Sequence, residues 1–196
     1  MGGHGENVTK DAIAAALRQL DAGELLLAHS SLSAFGHVEG GAEAVGQALV
    51  DAVGPEGTAI VPTHTWDRIN PENPTFDPDA MPCCTGAIPE AFRHRGDAIR
   101  GLHPTHSCAA VGPLAIDVLE DHELDVTPCG VRSPYQEMIR RGGSLVFLGV
   151  DLQVNTTYHA LEEMAGCAYL LGGYAMYYTA CPDGSRIRVP SRRHAG

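Results

Sequence analysis

The chain has 196 residues, 44% of them hydrophobic, and a formal net charge of −11 with its ten histidines counted neutral. That length supports one good core, and the acidic balance argues against a nucleic-acid-binding face, which needs clustered Lys and Arg. It suits a small cationic amine as partner instead. No apolar run reaches transmembrane length, and MGGHGENVTK lacks the basic-then-apolar order of a signal peptide. No membrane association and a cytoplasmic location are therefore expected.

In chain order, helix and strand signals alternate. Thr9 is placed to cap an amphipathic helix, KDAIAAALRQL, with Ile13, Leu17 and Leu20 on one face. ELLLA, from Glu24, reads as a short buried strand. The loop HSSLSAFGHVEGG follows, and then a helix from Ala42 to Ala52 that stops at Gly54–Pro55. TAIVPT, Thr58 to Thr63, is the second strand. From His64 to Gly86 the chain is rich in Pro and Asn and carries Trp66 and Phe76, and a loop this long is usually functional.

IPEAFRH is a short helix with Pro89 in its first turn, and SCAAVG is a third strand. Pro113 opens the helix LAIDVLEDH, and Ser133 caps PYQEMIRR, which ends at Gly142–Gly143. The strand Ser144 to Val150 leads to Asn155, Thr156 and Thr157, all plausible caps of a further helix. YAMYYTA, a turn at Asp183–Gly184 and RIRVP form a late hairpin. The pattern predicts one α/β domain over residues 1–196. It has a mainly parallel central sheet flanked by helices, and the hairpin supplies an antiparallel edge.

Ligands of an open α/β sheet gather beyond the carboxyl ends of its strands. Polar clusters stand at four such places: His29, Ser30, Ser31 and Ser33; Thr63, His64 and Thr65; His103, His106 and Ser107; and Asn155 with His159. His159 has Glu162 three residues on and Glu163 four residues on, both on its own helical face. A neutral histidine held by a carboxylate is a general base near neutral pH. A surface histidine in a local ion pair is the bland alternative. The helix start near Gly40–Gly41 offers amides to a phosphate, but neither a Walker loop nor GxGxxG occurs.

Zinc could draw on His103, His106, His159 and Glu163, but HPTH breaks any helical pairing and HExxH is absent. No metal is expected. The six cysteines, Cys83, Cys84, Cys108, Cys129, Cys167 and Cys181, show no zinc spacing. Cys108 reads as a core residue, and Cys83–Cys84 as an incidental pair in a Pro-flanked loop.

Four segments taken together resemble the aminoglycoside 3-N-acetyltransferase family. They are HSSLSAFGHVEGGAEAVGQALVDAVGPEGT, FDPDAMPCCTGAIPEAFR, HPTHSCAAVG and GSLVFLGVDLQVNTTYHALEE. The resemblance covers about Ala12 to Pro182, and the C-terminal part of the family pattern is missing. It implies an α/β fold distinct from GNAT acetyltransferases and acetyl transfer from acetyl-coenzyme A to an amine of an aminoglycoside. Ser30, Ser31, Leu32 and Ser33, with His103, Pro104 and Ser107 of HPTHS, would hold coenzyme A. His64, Trp66, Asp77 and Glu90 would bind the acceptor. His159 would be the base, Glu162 its orienting carboxylate and Glu163 the fallback. A monomer or homodimer is expected. The rival readings are a non-catalytic coenzyme A-binding remnant and a metal hydrolase.

Overall fold

The structure, a computed structural model, describes residues 7–20, 23–167 and 170–194. In chain order its strands are β1 (Leu25–Ser30), β2 (Thr58–Pro62), β3 (Thr75–Phe76), β4 (Ile99–Arg100), β5 (Cys108–Val111), β6 (Ser144–Leu148), β7 (Leu171–Ala180) and β8 (Arg186–His194). Its α-helices are α1 (Lys10–Arg18), α2 (Gly41–Val53), α3 (Ala87–Arg93), α4 (Ala115–Leu119), α5 (Pro134–Arg140) and α6 (Thr156–Met164).

The central sheet has the order β4-β5-β2-β1-β6. β1 runs parallel to both β2 and β6, while β5 is antiparallel to both β2 and β4. Four of the five strands thus point one way and β5 points back. Side chains alternate across the sheet as the strand period requires. Leu26, Ala28, Ala59 and Val61 meet Leu17 of α1, Leu49 of α2 and Phe92 of α3. Leu25, Leu27, Ile60 and Ala110 meet Val118 of α4, Met138 of α5 and Ala160 of α6. Burial on both faces is why these strands read as unbroken apolar runs.

The expected caps form. Thr9 accepts from the Ala12 amide, Ser133 from Gln136 and Asn155 from Thr157. Leu20, expected on the apolar face of α1, is exposed instead, because the helix ends at Arg18. The helix after Pro113 is also shorter than its pattern. Asp121 turns to a positive φ of 62°, and a 3-10 turn, His122–Leu124, carries the chain on. His122 is buried there and bonds the Pro128 carbonyl at 2.9 Å.

The late hairpin is antiparallel as expected, but it is not an edge of the central sheet. It builds a second sheet of order β3-β7-β8, with a small core of Ile69, Phe76, Tyr177 and Val189. β3 and β4 escape the sequence reading because two residues are too few to show a period. The His64–Gly86 loop is tied down by Arg100, which donates to the Pro78 and Met81 carbonyls at 2.8 and 2.6 Å. Among the described residues, no helix is long and apolar enough to cross a membrane.

Candidate active site

The reversed strand brings the site together. β1, β2 and β6 deliver their carboxyl ends to one edge of the sheet. Because β5 is antiparallel to β2, with Pro62 opposite Cys108, the loop entering β5 arrives at that same edge. His29 and Ser30, His64, His106, and Asn155 with His159 therefore line one cleft of about 1130 Å³. β8 adds Arg193 and His194 to its wall. Gly149, just after β6, has φ 70°, and a Cβ there would lie 2.2 Å from Ala34 Cβ. Only glycine lets the end of β6 approach the Ser31–Phe35 segment so closely.

Two histidine–carboxylate pairs stand side by side. His159 Nδ1 lies 2.8 Å from Glu162 Oε2, and His194 Nε2 lies 2.8 Å from Glu163 Oε1. The two imidazole centroids are 4.4 Å apart. With Nδ1–H donated to Glu162, the lone pair of His159 sits on Nε2, which is the arrangement of a general base. Glu163 also accepts from the Cys129 amide at 3.0 Å. Of the two carboxylates at helical spacing from His159, the fold gives it Glu162.

Behind His159 and His194 the imidazoles continue inward. His194 meets His106 at 5.3 Å, His106 meets His64 at 4.6 Å, and His103 stacks on His122 at 4.4 Å. Burial pushes His64 down to about 3 and His122 to about 4, and it holds His103 and His106 well below the usual histidine value. His29, stacked on Phe147, is lowered to about 4 by burial. These rings are neutral at pH 7. His29 and Ser30 line the cleft, while His29 Nε2 and Ser30 Oγ are themselves buried and have no hydrogen-bond partner among the described residues.

The remaining expected residues divide. Ser31, Leu32 and Ser33 line the cleft, as do His64 and the half-exposed Trp66. His103, Pro104 and Ser107 lie behind it and brace the loop entering β5. His103 Nδ1 accepts from the His106 amide, the Pro104 carbonyl from the Thr65 hydroxyl, and Ser107 Oγ donates to the Thr63 carbonyl at 2.8 Å. Asp77 and Glu90 are also away from the cleft lining. Asp77 Oδ1 accepts from the amides of Asp79 and Ala80 in a local turn. Glu90 bonds Arg93 and the Cys83 amide. Burial opposes its charge, but those bonds outweigh burial and hold its carboxyl at about 2.

The start of α2 at Gly40–Gly41 opens on a separate hollow of about 770 Å³ that holds Glu43 and Glu90, poor company for a phosphate. The Ser31 amide is spent on the Leu148 carbonyl at 2.9 Å, which removes it as an oxyanion donor. Cys84 and Cys108 are poor nucleophiles, since burial pushes Cys84 up to about 11 and Cys108 to about 12. His194 was not expected in the site. It lies in a basic stretch, SRRH, without a motif, and only the return of β8 brings it to the cleft.

An α/β sheet with a histidine–carboxylate pair at the cleft formed by its strand ends defines the class. The aminoglycoside 3-N-acetyltransferase family model matches residues 27–192, and the chain belongs to that family. Aminoglycoside N(3)-acetyltransferase III of Salmonella sp is 38% identical over 176 residues, which are 80% of this chain and 61% of that one. The crystal structure of aminoglycoside acetyltransferase AAC(3)-Xa superposes with a TM-score of 0.81 at 29% identity, covering 97% of this chain and 73% of that one. The AAC-IIIb binary with CoASH gives 0.79 at 25% identity, covering 97% and 77%. The fold is thus that of these acetyltransferases. The chain spans about three fifths of the length of the curated relatives it matches.

Proposed function

We propose that the chain transfers acetyl from acetyl-coenzyme A to the 3-amino group of an aminoglycoside, by direct attack with His159 as general base. The observation that carries this reading is the His159–Glu162 contact of 2.8 Å on a cleft that the Ser31–Ser33 segment also lines. An aliphatic ammonium cannot attack a thioester until it loses a proton. His159 Nε2 takes that proton, and Glu162 steadies the imidazolium. The amine attacks the acetyl carbonyl, the thiolate of coenzyme A leaves and takes up the proton held by His159, and the nitrogen releases its second proton to solvent as the neutral amide forms.

The family relationship supports coenzyme A as the donor. The His29–Ser33 segment along the cleft supports a pantetheine arm lying against it. The leading amides of the 3-10 turn Leu32–Phe35 have no partner within the turn and take the oxyanion role. His103, Pro104 and Ser107 brace the end of β2 and the loop entering β5, behind the cleft, and take no part in this cofactor reading.

A second reading, coenzyme A binding without transfer, is favoured by one observation. Among the described residues, no Asp or Glu lines the cleft. The acceptor's ammonium groups then lack the acidic partners expected of Asp77 and Glu90. Thiol release from acetyl-coenzyme A against a panel of amines separates the two. Amine-dependent release, lost in His159→Ala, supports transfer. Tight cofactor binding with no release for any amine leaves binding alone.

A further inference from the structure

We propose that Cys129 Sγ, a Glu163 carboxylate oxygen and a His194 ring nitrogen form a binding site for a thiophilic divalent cation, zinc in the first place. The three donor atoms lie within 4.8 Å of one another. They come from the loop before α5, from α6 and from β8, so no sequence spacing announces them. The sequence expectation of no metal weighed Glu163 with His103, His106 and His159, whereas the fold gives Glu163 two other partners.

The site is built rather than incidental. Cys129 is fully buried, and the side chains of Glu163 and His194 are 6% and 11% exposed. Glu163 is fixed from two sides, by the Cys129 amide at 3.0 Å and the His194 ring at 2.8 Å. Among the described residues, Cys129 Sγ makes a single long contact, 3.7 Å, to the Thr156 carbonyl. A thiolate, an imidazole and a carboxylate together suit zinc and disfavour magnesium or calcium, which prefer all-oxygen shells.

Binding balances simply. The Cys129 thiol releases its proton to solvent as the sulfur–metal bond forms. The His194 proton moves to Nδ1, which frees the Nε2 lone pair that now faces Glu163. Three protein donors leave the fourth tetrahedral position to water or another ligand. Of the three donor residues, His194 lines the cleft. The proposal does not depend on acetyl transfer.

The test uses the full chain, stripped with a chelator and titrated with cobalt(II), whose bond to a thiolate gives a near-ultraviolet charge-transfer band. One cobalt per chain and a clear band are expected, with zinc displacing both. Cys129→Ser abolishes the band. Glu163→Gln and His194→Gln each weaken binding about tenfold or more, since removing a ligand costs at least as much as removing its outer-shell support. Cys83→Ser and Cys84→Ser leave the band intact. No band in the wild-type protein, or a band that survives Cys129→Ser, overturns the proposal. Circular dichroism checks folding. If Cys129→Ser does not fold, His194→Gln decides, and unchanged cobalt affinity in that variant also overturns it.

Discussion

His159 on α6 and His194 on β8 face each other across 4.4 Å between ring centroids, and each holds a different carboxylate, Glu162 and Glu163. Adjacent residues on one helix turn thus serve two imidazoles. Both imidazoles line the cleft, one held by Glu162 and the other tied to the buried Glu163, which makes the two glutamates experimentally distinguishable.

His159→Ala is expected to cut acetyl transfer by about 10²–10⁴, the usual contribution of a general base, while coenzyme A binding persists. Glu162→Gln costs less, because the imidazole remains. Steady-state kinetics and cofactor titration check both. Wild-type turnover in His159→Ala ends the assignment. A larger loss in Glu163→Gln than in Glu162→Gln shifts the base to His194.

Acetyl-coenzyme A is expected to raise the Tm, since a ligand bound only by the native state stabilises it by mass action, about 2.7 kcal/mol at a hundredfold excess over Kd. Hydrogen exchange slows in the Ser31–Phe35 segment. A flat Tm at saturating cofactor, with unchanged exchange there, removes the cofactor reading.

Acid sensitivity follows from the buried imidazoles. Burial lowers His29 and His122 to about 4 and His64 to about 3, from 6.5. The unfolded chain binds protons more readily at these groups. Their contribution is therefore fully present above about pH 6.5 and is lost as pH falls through 6.5 toward 4 and 3. Each histidine steepens the decline by up to about 1.4 kcal/mol per pH unit. Chemical denaturation at pH 7, 6 and 5 measures it. Equal stability at all three contradicts neutral burial.

Asp77→Ala is expected to lower stability by about 1 kcal/mol through loss of two turn hydrogen bonds, with the acceptor KM unchanged. Paired Tm and kinetic measurements decide. A raised acceptor KM at unchanged Tm returns Asp77 to the acceptor site.

The alternation of apolar strands and capped helices was legible because it is local. Thr9, Ser133 and Asn155 cap the helices that their sequence contexts announce. His159 and Glu162 were legible for the same reason, since helical spacing alone brings them together. The partners of Asp77 and Glu90 were not legible, because acidic character says nothing of what a carboxylate touches. Both are engaged by neighbours, one by amides two and three residues on, the other by Arg93.

The sequence by itself determined the α/β class, the order of the elements, the Ser-rich wall and the His159–Glu162 pair, because each depends on short-range periodicity or capping. Tertiary structure alone decided that β5 runs backwards, so that the loop before it, with His106, meets the carboxyl ends of β1 and β2. It also decided that β8 returns to seat His194 against Glu163, with Cys129 behind them. Strand direction and the meeting of residues far apart in sequence arise from burying both faces of one sheet, and no local pattern encodes them.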